Sequence, residues 1–117
     1  MQVQIYHNPR CSKSRATLEI IEQQGLQAVV TNYLETPPNY QQLDHILTVL
    51  DMHPRDLMRK NESEYNDNQL GNSELSRDQL INAMIKFPKL IERPIVLVGD
   101  KVAIGRPPES VLNILPK

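Results

Sequence analysis

The stretch His7-Asn8-Pro9-Arg10-Cys11-Ser12-Lys13-Ser14-Arg15 holds the only cysteine of the 117-residue chain. The nucleophile of thiol chemistry is the thiolate, and a free cysteine near neutral pH is mostly protonated. A helix N-terminus, cations and an imidazolium draw its pKa down to about 3.5–7.5. Cys11 is offered all three. It lies in the turn that enters a helix, where unpaired amides and the helix dipole favour negative charge. His7 precedes it, and Arg10, Lys13 and Arg15 flank it. The same amides suit an incoming oxyanion, so one turn would serve both nucleophile and substrate. Most free cysteines are small buried hydrophobes; a polar turn without apolar neighbours argues against that for Cys11.

The spacing around the thiol bears on other chemistries. Cys11 and Ser14 form a Cys-x-x-Ser pattern similar to monothiol glutaredoxins, although four residues match easily by chance. A Cys-x5-Arg phosphatase loop needs an arginine where this chain has Thr17. No metal site is expected, because His7, His45 and His53 have no ligand spacing with Cys11. His45 falls on a helix and His53 precedes Pro54, positions that suit surface or capping residues. A lone cysteine makes no internal disulfide, which excludes a secreted disulfide scaffold and points to the reducing cytoplasm.

The elements that must position this turn follow from the hydrophobic pattern. Val3 to Tyr6 is rich in strand formers, and a helix begins near Ser12 or Ser14 with Leu18 and Ile21 inward and Gly25 as its stop. Ala28 to Tyr33 is a second strand, which completes a βαβ unit. After Pro37-Pro38, Leu43, Ile46, Leu47 and Leu50 mark one helix face. Pro54 opens a short helix through Leu57 and Met58, and Asn61 to Asn72 is expected to be a surface loop. Ser76-Arg77-Asp78-Gln79 is a capping box before Leu80, Ile81, Met84 and Ile85, and Pro88 ends that helix. Ile95 to Val98 and Val102 to Ile104 are strands joined at Gly99-Asp100, and Pro107-Pro108 leads into a last helix with Val111, Leu112 and Leu115. The order resembles a thioredoxin-like α/β fold, βαβ…ββα, with a helical insertion of about residues 39–87 in a single domain spanning 1–117.

Composition narrows the partners. A net charge of -1 argues against a nucleic-acid binder, so any anion site must be a local cluster of cations. No segment approaches the roughly 20 apolar residues that span a bilayer, and Met1-Gln2-Val3-Gln4-Ile5 lacks the features of a signal peptide. A soluble, cytoplasmic protein with neither nucleic-acid nor membrane partners is expected.

Five strings occur in order: Tyr6-His7-Asn8-Pro9-x-Cys11-x-x-Ser14-Arg15-x-Thr17-Leu18, Tyr33-Leu34-Glu35-x-Pro37-Pro38, Leu57-Met58-Arg59-Lys60-Asn61, Ile91-x-Arg93-Pro94-Ile95-Val96 and Arg106-Pro107. Together they resemble the glutaredoxin-linked arsenate reductase (ArsC) family from Tyr6 to about Pro116. The resemblance implies that Cys11 attacks arsenate or a similar small oxyanion, held by Arg59, Arg93 and Arg106. It implies that His7 favours the thiolate, that Ser14 hydrogen-bonds the sulfur, and that Pro94 is the cis-proline facing the active-site loop of thioredoxin folds. Arginine suits the task, because its planar fork grips tetrahedral oxyanions bidentately and stays charged. Arg93 and Arg106 also sit beside prolines at strand ends, where sites tend to be built. Arg10, Ser12 and Lys13 replace residues typical of the best-known members, and no C-terminal extension follows, which places the chain among short ArsC-like homologues.

Electron counting extends the implication. Reducing arsenate to arsenite takes two electrons, and one thiolate cannot supply them and regenerate itself. No bound cofactor is expected; glutathione would be the co-substrate thiol, and glutaredoxin would resolve the mixed disulfide. Two other readings stay open. A monothiol glutaredoxin-like oxidoreductase would need no arginine triad. A non-enzymatic regulator of this fold that binds RNA polymerase typically carries Cys-x-x-Cys, whereas Ser14 takes the second position here.

Overall fold

The computed structural model describes residues 2–116, which divide into two compact units. One is built from the two ends of the chain, up to Thr36 and from Arg93 onward; the other is Pro37–Glu92.

The first unit is organised by a four-stranded sheet in the order β2-β1-β3-β4. Strand β1 (Val3–His7) pairs in parallel with β2 (Ala28–Asn32), Val3 opposite Ala28 and His7 opposite Asn32. Strand β3 (Ile95–Val98) runs antiparallel to β1 and to β4 (Lys101–Ile104). Between β1 and β2 lies α1 (Ser12–Gln23), so the parallel pair is joined by a helical crossover. The helix stops at Gly25, whose φ of 76° lies in the left-handed region. Its amide bonds Glu22 O at 2.9 Å and the Leu26 amide bonds Ile21 O at 3.3 Å, the paired closure of a Schellman end.

Val3, Ile5, Ile21, Val96, Val98, Val111 and Leu115 form the buried core of this unit, with Leu18 and Leu26 partly buried against it. The β3–β4 hairpin turns at Gly99-Asp100, and Gly99 takes a φ of 58°. The last segment, Pro108–Asn113, is a 3-10 helix and not the expected α-helix. Pro107 and Pro108 bring no amide donors to its first turn, and the segment is anchored by Val111 and Leu115. Strand order and connection give the thioredoxin-like arrangement.

The second unit is helical. Helix α2 (Tyr40–Leu50) buries Leu43, Ile46 and Leu47, and its N-terminus is closed by a capping box of Asn39 and Gln42. Helix α4 (Arg77–Lys86) buries Leu80, Ile81 and Met84 behind the Ser76–Gln79 capping box, and it packs against α2. Leu50 and Ile85 are only half-buried. His53 caps the short 3-10 helix Pro54–Leu57 by accepting the Arg55 amide at 3.2 Å. The segment expected to be a loop contains α3 (Ser63–Asp67) and the buried Leu70. Its order comes from Arg55, which donates to Leu70 O at 2.9 Å and Asn72 O at 2.6 Å. A long-range anchor of that kind leaves no local periodicity.

Among the described residues, no helix is long and apolar enough to cross a membrane.

Candidate active site

The turn between β1 and α1 is tied by its own backbone and four polar side chains. The Cys11 amide donates to Asn8 O at 3.0 Å, and Asn8 Oδ1 accepts the Arg10 amide at 3.0 Å. The Asn8 amide donates to Ser14 Oγ at 3.0 Å, and Ser14 Oγ lies 2.6 Å from His7 Nδ1. Arg15 Nη1 reaches back to Pro9 O at 2.9 Å. His7, Asn8 and Ser14 are all buried, so these bonds replace water that the loop has lost.

Cys11 is the N-cap residue of α1 and is half-buried. Burial alone would raise its pKa; the Ser14 amide, the Arg93 guanidinium and the Lys13 amide outweigh that and hold it below the ordinary 9.0. Ser14 thus acts on the sulfur through its backbone N–H, while its hydroxyl is engaged with His7. Burial lowers the His7 pKa below 6.5, and the charge of Arg15 lowers it further. These surroundings favour the neutral imidazole of His7 over the expected imidazolium.

Two of the three predicted arginines meet the thiol. Arg106 Nη2 lies 3.8 Å from Cys11 Sγ, and Arg106 Nε donates to Arg93 O at 2.7 Å. Burial works against the Arg93 charge, but its interactions with Cys11 and Tyr33 prevail and hold the guanidinium more firmly protonated. Both arginines precede a proline, and Arg93–Pro94 and Arg106–Pro107 are both cis. The Gly105 amide donates to Pro94 O at 2.9 Å, tying the two Arg-Pro corners together. Arg59 belongs to the helical unit, where Glu62 Oε1 lies 3.5 Å from its Nε and Glu92 Oε1 3.3 Å from its Nη1.

Gly105 and Thr17 shape the site without an obvious signal in the sequence. A Cβ on Gly105 would come within 2.7 Å of Pro94 Cγ and would overlap the Thr17 hydroxyl. Thr17 is fully buried and its hydroxyl is bonded to Lys13 O at 2.8 Å. Chemically, the arrangement offers a thiolate flanked by two forked cations. That set can attack a small tetrahedral anion and stabilise the charge that develops on it.

Known proteins share this architecture. The profile of the ArsC family matches residues 6–114. The uncharacterized protein YfgD of Escherichia coli is 50% identical over 115 residues, which are 97% of each chain. An arsenate reductase of Haemophilus influenzae is 45% identical over 116 residues, 98% of this chain and all of that one. The solved structure of an arsenate reductase from Vibrio cholerae superposes with a TM-score of 0.94 at 49% identity, covering 98% of both chains. The match spans nearly the whole sequence, includes the thiol turn and both Arg-Pro corners, and shows that the chain belongs to the ArsC family.

Proposed function

We propose that this protein is an arsenate reductase that uses glutathione and glutaredoxin. The observation that carries the reading is the convergence of Arg93 and Arg106 on the Cys11 sulfur, whose pKa is lowered. Relatives named arsenate reductase, at 45% and 49% identity, support arsenate as the oxyanion.

In this mechanism the Cys11 thiolate attacks arsenic, and one arsenate oxygen leaves as water after taking up protons. Arg93 and Arg106 hold the remaining oxygens, and Arg59 is assigned to the same anion on the family pattern. Glutathione, as its thiolate, then attacks the Cys11 sulfur. A sulfur–sulfur bond forms, the sulfur–arsenic bond breaks, and its electron pair stays on arsenic, which leaves as arsenite. The two electrons come from the two thiols. Glutaredoxin removes the glutathione from Cys11 by thiol exchange.

An assay coupling NADPH oxidation to glutathione reductase, glutaredoxin, glutathione and arsenate tests this. Arsenate-dependent turnover abolished by Cys11→Ser is expected. Turnover that survives the substitution, or no turnover with arsenate, would overturn it.

A further inference from the structure

We propose that the pocket at the carboxyl ends of β1 and β2 receives the tripeptide thiol, with Arg10 and Glu35 reading its two charged ends. The proposal rests on the glutathione-dependent reading above and assigns a place to that co-substrate. A cavity of about 300 Å³ opens there, lined by Asn8, Pro9, Arg10, Asn32, Leu34 and Glu35. Its position is set by the register: His7 lies opposite Asn32 at the carboxyl ends of the parallel strands, and the lining is Asn32 together with residues that follow these two positions. Arg10, in that lining, is followed in the chain by Cys11, the N-cap of α1. Neither Arg93 nor Arg106 lines the cavity, so it is separate from the oxyanion cluster.

The lining matches the chemistry of glutathione. Arg10 and Glu35 bring opposite charges to one small cavity, yet no ion pair joins them or engages either among the described residues. Opposite charges lining one cavity without pairing suit a zwitterion, with a carboxylate on the arginine and the γ-glutamyl ammonium on the glutamate. The two asparagines are oriented for peptide amides. Asn8 Oδ1 accepts the Arg10 amide at 3.0 Å and Asn32 Oδ1 accepts the Leu34 amide at 3.1 Å, which leaves both side-chain NH2 groups as donors to peptide carbonyls. Pro9 and Leu34, both exposed, supply apolar wall for the cysteinyl methylene. An inorganic oxyanion uses none of the amide, ammonium or apolar recognition. The residues fit a small peptide.

The test uses S-methylglutathione, which has the charged ends and amides of glutathione but no free thiol. Titrated into the isotope-labelled intact protein, it should shift the side-chain NH2 resonances of Asn8 and Asn32 and the backbone resonance of Leu34. Arg10→Ala and Glu35→Gln should each weaken that binding about fivefold, the scale of one partly exposed charge contact, and Arg10→Lys should recover most of it. In turnover, Glu35→Gln should raise the KM for glutathione while leaving the KM for arsenate unchanged. Shifts confined to residues outside the pocket, or affinity indifferent to both substitutions, would overturn the assignment. Binding is read without arsenate, so saturation of the pocket in a protein that fails to reduce arsenate would count against the reductase reading alone.

Discussion

Ser14 Oγ lies 2.6 Å from His7 Nδ1 and accepts the Asn8 amide at 3.0 Å, while the Ser14 backbone N–H is what acts on the Cys11 sulfur. Side chain and backbone of one residue therefore have different tasks. Ser14→Ala keeps the amide that lowers the thiol pKa and removes the hydroxyl that joins two buried groups. Stability should fall by about 1–3 kcal/mol, the cost of leaving buried polar groups unpaired. The pH dependence of Cys11 alkylation should change little. Urea unfolding and alkylation rates check both; a thiol inflection restored to the free-cysteine range with stability intact would contradict the assignment.

His7 gives the fold a pH dependence whose sign is fixed by its surroundings. Its folded pKa is depressed below 6.5 by burial first and by Arg15 second. Above about 6.5 neither folded nor unfolded His7 carries a proton, so it adds no pH dependence there. Below that value the unfolded state takes up the proton first, and stability falls as pH falls toward the folded pKa. Denaturant midpoints measured from pH 7.5 downward should show this loss, and His7→Gln should flatten it. An unchanged slope in the variant would mean that other groups set the acid limit.

Arg93 tunes the nucleophile as well as serving the proposed oxyanion site. Burial raises the Cys11 pKa and Arg93 is among the groups that reverse it. Arg93→Ala should move the alkylation inflection up toward 9.0, so that less of the thiol reacts at neutral pH than in the parent. Arsenate kcat/KM should fall about 10²–10³-fold, the scale of one lost donor to a developing oxyanion, or about 2.7–4 kcal/mol. Arg93→Lys keeps the charge but not the fork, and should restore the thiol more fully than the turnover. An inflection that does not move in Arg93→Ala would assign the lowered pKa to the helix amides alone.

Much of this was legible in the sequence because its causes are local. The strands, the capping box at Ser76 and the stop at Gly25 each follow from a few neighbouring residues, and the structure has them all. The helix Ser63–Asp67 was not legible, because its anchor is Arg55 bonding to Leu70 and Asn72 across the chain. At the site, the thiol at a helix start is a local fact, whereas Arg106 meets Cys11 across 95 positions and was placed by resemblance. The downward shift of the His7 pKa was missed because its first cause is burial, which sequence neighbours do not reveal. The Ser14 amide likewise acts through backbone that every residue shares, so the residue type does not announce it.

Gly105 marks where α1 and the two Arg-Pro corners approach most closely. An added Cβ would overlap Thr17 and come within 2.7 Å of the Pro94 ring. Neither neighbour yields easily, since Thr17 is buried on α1 with its hydroxyl bonded to Lys13 O at 2.8 Å. Gly105→Ala should therefore cost about 1–3 kcal/mol from overpacking. It should also raise the KM for arsenate, because the Gly105 amide bond to Pro94 O at 2.9 Å fixes the bend after β4 that carries Arg106. Thr17→Ala in the same chain removes the overlapping atoms, so the two substitutions together should cost less than their sum. A double-mutant cycle by urea unfolding reads that coupling. Strict additivity, or a Gly105→Ala protein as stable as the parent, would show that close approach at this point is not what holds Arg106 beside the thiol.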